Sequence, residues 1–93
     1  MPAHYLTLRA TIDKYDTVTI EGTNNASTFD LKVPKGIDLA DDIAATLNVG
    51  QGNVYRDTYA VLTNDRGCVV KVGDGTFMIP WQRITDVVAQ LRA

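Results

Sequence analysis

Histidine and cysteine, the side chains most often used for metal binding and nucleophilic chemistry, each occur once in this chain of 93 residues. Neither His4 nor Cys68 has a second ligand at the spacing of a metal site. Cys68 opens an alternating segment with Val70 and Val72 on its side, which is typical of a thiol that packs as a small hydrophobic group. We therefore predict no metal site, no cofactor and no catalytic residue, and expect that the protein is not an enzyme.

Three carboxylates lie close together in sequence, at Asp38, Asp41 and Asp42. They precede or begin a segment in which Ile43 and Leu47 have the spacing of one helical face, and Asp38 takes the N-cap position. Carboxylates are favoured at the positive end of a helix, and the adjacent Asp41 and Asp42 point in different directions on it. The pattern indicates stabilisation of a helix N-terminus in preference to a cation site.

Two clusters of aromatic and arginine side chains form the candidate partner-binding site. They are Tyr55, Arg56 and Tyr59 at the entry to the second half, and Trp81, Gln82 and Arg83 at the start of the last helix. Met78 joins the site from an apolar patch near Trp81. Aromatic residues and Arg dominate protein interfaces and also stack on single-stranded bases. The alternatives are a core role for Trp81, which shares the apolar stripe of its helix, and a solvated side chain or surface ion pair for Arg56 and Arg83.

The elements that carry these residues follow from the spacing of apolar positions. Strict alternation predicts half-buried strands over 5–12, 17–21 and 28–33, with turns at 14–16 and 22–25. Short connections between one-sided strands indicate an antiparallel meander with one face toward water. A period near 3.6 then predicts a helix of about three turns that begins after Asp38 and ends at Gly50.

The second half repeats this order. Strands are predicted over 59–63, 68–72 and 76–79, with Gly67 in a left-handed turn conformation, before a final helix that begins at Pro80. The chain is therefore predicted to be one α+β domain over 1–93, with antiparallel strands and two amphipathic helices.

A duplicated βββα unit, covering 5–49 and 54–92, accounts for the matching order. The alternative is that any amphipathic helix after a proline would align as well. The apolar faces together give a predicted core of Leu6, Leu8, Val18, Ile20, Phe29, Leu31, Ile43, Leu47, Val61, Val70, Phe77, Ile79, Val87 and Leu91.

Composition narrows the function classes. Nine Lys and Arg against eleven Asp and Glu give a net charge of -2, which disfavours binding to the phosphate backbone of nucleic acids. No apolar run approaches the roughly 20 residues that span a bilayer, so no membrane role is expected. A lone cysteine and no leader pattern at the start predict a cytoplasmic protein.

We expect a small non-catalytic interaction or regulatory protein that binds a protein partner or itself. The alternative is a single-stranded nucleic-acid-binding module that uses a sheet face carrying Tyr5, Arg9, Tyr55 and Arg56. That alternative requires the cations, with Arg83 among them, to converge on one face.

Overall fold

The computed structural model describes Tyr5, residues 7–49 and residues 53–93. Within these residues the chain forms seven strands and two helices, in the order β1 (Thr7–Ile12), β2 (Val18–Thr23), β3 (Thr28–Val33), α1 (Leu39–Val49), β4 (Val54–Tyr55), β5 (Ala60–Asn64), β6 (Gly67–Val72), β7 (Gly75–Pro80) and α2 (Trp81–Arg92). All neighbouring strands are antiparallel and form two sheets, β1-β2-β3 and β4-β5-β6-β7. The predicted α+β class is confirmed.

The first sheet has the two-sided pattern that the alternation predicts. Ala10, Ile20 and Leu31 lie opposite one another across its three strands, and all are buried. The residues between them, including Thr11 and Lys32, are exposed on the outer face. Because successive strand residues point to opposite faces, each strand contributes one apolar row to the core.

Short polar side chains close the turns of the first sheet. Asp13 Oδ1 accepts hydrogen bonds from the backbone nitrogens of Tyr15 and Thr17, at 2.8 and 3.0 Å. Asn24 caps the next turn in the same way. That turn therefore begins at Asn24, and Gly22, which the sequence pattern placed in it, lies inside β2.

The prediction that Phe29 belongs to the core is wrong. Its side chain is on the inward-facing row of β3, opposite Gly22, but 45% of it is exposed. β3 is the edge strand of its sheet, so among the described residues no paired strand lies beside one flank of the ring. Alternation identifies the face of a residue and not whether that face is covered.

The prediction that Leu47 belongs to the core is also wrong, because the side of α1 that faces the core includes two polar residues and excludes Leu47. Asp42 and Thr46 are buried beside Leu39 and Ile43, while Leu47 is exposed. The Thr46 hydroxyl donates to the carbonyl oxygen of Ile43 at 2.6 Å, which makes its burial tolerable. Of the other predicted core residues, Leu91 is only partly buried, and Leu6 lies outside the described residues.

The second sheet contains β4, which the pattern did not predict because two residues are too short to show alternation. The second half is therefore ββββα, and the proposed duplication stays a prediction. Gly67 begins β6 with a positive φ of 158°, instead of the αL turn conformation predicted, and a Cβ there would collide with the carbonyl oxygen of Ile79. Gly73, with a φ of 56°, opens the two-residue loop between β6 and β7.

The two helices close the core. Pro80, in an extended conformation, is the N-cap of α2 and not its first helical residue. Ile84 and Val87 of α2 are fully buried, as are Leu39 and Ile43 of α1. Among the described residues, no helix is both long and apolar enough to cross a bilayer.

Candidate functional site

Asp42, which is only 6% exposed, forms a network with the buried Tyr59 and with Arg56, whose side chain is 46% exposed. Arg56 donates to both carboxylate oxygens of Asp42, from Nη2 at 2.8 Å and from Nε at 3.1 Å. Tyr59 donates its hydroxyl to Oδ2 of the same carboxylate at 2.5 Å. The carboxylate therefore accepts three hydrogen bonds, two of them from a planar guanidinium that matches its geometry.

The protonation states of this network follow from its contacts. Burial raises the pKa of Asp42, but the hydrogen bonds from Arg56 and Tyr59 and the guanidinium charge lower it by more, so the net pKa is below its ordinary value. Burial and the neighbouring carboxylate raise the pKa of Tyr59, and the hydrogen bond to Asp42 raises that of Arg56. At neutral pH the carboxylate and guanidinium are charged and the phenol is neutral, an arrangement that stabilises structure and leaves no free acid or base.

The network divides the first predicted cluster. Arg56 and Tyr59 face Asp42, whereas Tyr55 is 73% exposed. Sequence reasoning assigned Asp42 to the helix dipole and missed this role. Its partners lie 14 and 17 positions along the chain, so no local spacing could have indicated the contact.

An open depression of about 160 Å³ borders the network. Its lining carries both signs of charge and consists of Lys35, Asp38, Arg56, Asp57, Thr58 and Tyr59. The Thr58 hydroxyl already donates to the carbonyl oxygen of Pro34 at 2.5 Å. The mixed charge favours no single class of small ligand.

The outer face of the second sheet carries an apolar row. Leu62, Val69 and Met78 lie directly opposite one another on β5, β6 and β7, and all three are partly exposed. In the next row Tyr55 of β4 lies opposite Ala60 of β5, and this row continues with the exposed Lys71 and Thr76. We call Tyr55, Ala60, Leu62, Val69 and Met78 the apolar outer face. It unites Tyr55 of the first predicted cluster with Met78 of the predicted apolar patch.

Trp81 and Arg83 are held by contacts within the chain. The Trp81 indole nitrogen donates to the carbonyl oxygen of Asp65 at 3.1 Å, and its ring packs partly against the core. Arg83 Nη1 donates to the carbonyl oxygen of Tyr5 at 3.1 Å, and its Nη2 lies 3.8 Å from Asp86. Both alternatives weighed for these residues, partial core packing and an ion pair, are therefore present.

The alternation placed Tyr5 on the solvent face of the first strand, but the structure does not place it there. Its ring stacks on Phe77, with centroids 5.4 Å apart, and its hydroxyl donates to the carbonyl oxygen of Met78 at 2.8 Å. Gly22 makes room for this, because a Cβ there would lie within 2.5 Å of the Tyr5 ring. The phenol is desolvated, which raises its pKa.

The residues that a nucleic-acid-binding face would need lie in separate places. Arg9 borders a depression with Glu21 on the outer face of the first sheet. Tyr55 is on the second sheet, and the guanidinium groups of Arg56 and Arg83 are held by contacts within the chain.

Cys68 and His4 are the two side chains for which the sequence raised nucleophilic or metal chemistry. Cys68 is fully buried, and burial raises the pKa of its thiol to about 12, so the prediction of a packed thiol is confirmed. His4 lies outside the described residues. In residues 7–49, 53–93 and Tyr5, no three His, Cys, Asp or Glu side chains are grouped closely enough to hold a metal ion.

Comparison with models of protein families, with curated proteins and with solved structures found no match for this chain.

Proposed function

We propose that this protein is a non-catalytic interaction protein that binds another protein through the apolar outer face of its second sheet. The observation that carries the proposal is the row of Leu62, Val69 and Met78, which is partly exposed on the side of the sheet away from the core. An antiparallel sheet with one solvated face normally places polar residues there.

The first sheet supplies an internal comparison. Its outer face follows the ordinary rule, with Thr7, Arg9 and Thr11 exposed on β1 and Asp30 and Lys32 exposed on β3. One chain therefore carries one polar outer face and one outer face with an apolar row. Because contiguous exposed apolar rows are uncommon on monomers, the difference supports a partner on the second sheet.

Side-chain chemistry supports a protein partner. Tyr55 projects an aromatic ring with a polar tip, the kind of side chain that anchors interfaces. Met78 adds a flexible thioether that adapts to a partner's shape. Lys71 and Thr76 border the row and are exposed, as a polar rim around an apolar centre would require.

The test is affinity capture from the cells that produce the protein, with bound proteins quantified by mass spectrometry. Val69→Lys places a charge in the centre of the apolar row. Thr11→Lys is the matched control, since it adds the same charge to the exposed outer face of the first sheet. Circular dichroism establishes that both variants fold.

We expect at least one protein to be retained by the wild type and by Thr11→Lys and lost by Val69→Lys. A titration with short labelled oligonucleotides, at low and moderate salt, accompanies the capture. Salt-sensitive micromolar binding of an oligonucleotide, or protein partners that Val69→Lys retains in full, would contradict the proposal.

A further inference from the structure

In the described part of the chain, the outward backbone groups of β3 have no hydrogen-bond partner. The amide of Gln90 is bonded to the nitrogen of Ala10 and the oxygen of Leu8, so these β1 groups point away from β2. Hydrogen-bonded positions alternate along an antiparallel ladder, which means that Ile20, opposite Ala10, bonds across to Leu31. The peptide groups of the residues flanking Leu31 then point outward.

Among the described residues, side chains bond part of two of the other edges, and the remaining edge is short. Gln90 of α2 occupies the edge of β1. On β7 the carbonyl oxygen of Met78 accepts from Tyr5, and Pro80 has no N–H to offer. β4 has two residues. β3, with six, pairs in the described part of the chain with β2 alone.

The side chains of this edge are also open. Thr28, Phe29, Asp30 and Lys32 are all exposed, although Phe29 is on the inward-facing row. A strand added beside β3 would cover the flank of the Phe29 ring and bond the free peptide groups of Asp30 and Lys32. An edge of this length, with no second strand paired to it in the described part of the chain, is a template for strand addition.

We infer that the strand added here is β3 of a second copy, antiparallel to the first about a twofold axis that passes between the two Leu31 residues. Asp30 of each copy then lies opposite Lys32 of the other, and Phe29 lies opposite Val33. The outward peptide groups of Asp30 and Lys32 form the hydrogen bonds. The two three-stranded sheets become one continuous sheet.

Charge complementarity selects this partner and this register. Asp30 and Lys32 are on the same face, two positions apart, so an antiparallel copy shifted to pair them gains two reciprocal ion pairs. A shift that centres the axis on Asp30 would place two carboxylates in direct opposition. A twofold interface requires such self-complementarity.

This surface is separate from the apolar outer face, so the inference goes beyond the proposed function. Val69→Lys should leave self-association unchanged. Loss of self-association should leave the capture of protein partners by the apolar outer face unaffected. Failure of one proposal is therefore distinguishable from failure of the other.

The test compares the mass in solution of four proteins across a range of concentrations, by sedimentation velocity. They are the wild type, Asp30→Lys, Lys32→Asp and the double variant. Each single reversal replaces two attractive pairs by two repulsive ones and should raise the dimer dissociation constant about tenfold or more. The double variant should restore it. Asp30→Lys should keep the fold, since residue 30 lies opposite Glu21 in its own sheet.

Hydrogen exchange locates the interface. The backbone amides of Asp30 and Lys32 should exchange quickly in dilute protein and slowly in concentrated protein. A wild type that stays monomeric at every concentration would overturn the inference, as would a dimer that the single reversals leave intact or the double variant does not restore. A monomer that binds an extended peptide at β3 would also overturn it.

Discussion

Tyr59 donates its hydroxyl to the carboxylate of Asp42 at 2.5 Å, although the two residues are 17 positions apart. The bond joins the segment before β5 to the buried side of α1. Arg56 reaches the same carboxylate, so one acid holds two points on the chain between β4 and β5. Because the acid is buried, removal of either its charge or its oxygens leaves partners that water cannot fully replace.

Replacing Asp42 by Ala should therefore lower the free energy of unfolding by about 1–3 kcal/mol, since the buried Tyr59 hydroxyl loses its acceptor. Urea titration measures this loss, and the dependence of the free energy of unfolding on urea concentration should be the same in both proteins. Asp41→Ala is the matched control, because Asp41 is 75% exposed and pairs with Arg92 at the surface, where a pair contributes about 0–1 kcal/mol. Equal losses in the two variants would assign the effect to the helix dipole and contradict the network.

Asp42 also predicts how stability depends on acid. Its pKa in the folded chain is below the ordinary 3.8, so the folded state binds this proton less readily than the unfolded state. The stabilisation is present above about pH 4 and is lost as the pH falls through the lower folded value. Asp42→Asn, which does not titrate, should lose less stability than the wild type between pH 5 and pH 2. Parallel stability curves for the two proteins would contradict this.

Local patterns predict what depends on neighbouring residues in the chain. Alternation gave the inward rows of the first sheet and the burial of Cys68, because the strand period fixes the face of each side chain. The same argument failed for Tyr5. Its ring turns inward onto Phe77 because Gly22, on another strand, leaves the space.

The candidate site was predicted in part for the same reason. Tyr55 and Met78 were selected by residue type, but their common face depends on the pairing of β4 with β5 and of β6 with β7. β4 is too short to recognise in the sequence. Asp42 was predicted only to stabilise the N-terminus of its helix, since its contact with Tyr59 exists only in the folded chain.

The two phenylalanines should differ in their contribution to stability. Phe77 is buried and stacked by Tyr5, so Phe77→Ala should cost about 3–5 kcal/mol. Phe29 is 45% exposed, and Phe29→Ala should cost about 1–2 kcal/mol in dilute, monomeric protein. Urea unfolding of both variants at one low concentration measures the difference. A cost for Phe29→Ala equal to that for Phe77→Ala would show that β3 is covered.

Cys68 should be unreactive until the chain unfolds. The thiol is fully buried with a pKa of about 12, so almost no thiolate exists at pH 8. Alkylation by iodoacetamide, followed by mass spectrometry, should be slow in buffer and should accelerate in urea as the protein unfolds. The same reagent on fully unfolded chain is the control. Rapid labelling of the native protein would contradict the burial of this residue.

Gln90 behaves as a short piece of an additional strand at the edge of β1. Its Nε2 donates to the oxygen of Leu8 and its Oε1 accepts from the nitrogen of Ala10, each at 2.9 Å. Gln90→Leu keeps the size of the side chain and removes both bonds, so two partly buried backbone groups lose their partners. We expect a loss of about 1–3 kcal/mol in the free energy of unfolding, measured by urea titration.

The opened edge of β1 should also make Gln90→Leu more prone to aggregate, because an uncovered strand edge pairs with other chains. Light scattering at increasing concentration measures this in the same samples. Gln82→Leu is the matched control, since Gln82 is exposed on the first turn of the same helix and adds equal apolar surface when replaced. Aggregation of both variants to the same extent would attribute the effect to surface hydrophobicity. Aggregation of Gln90→Leu alone would attribute it to the β1 edge.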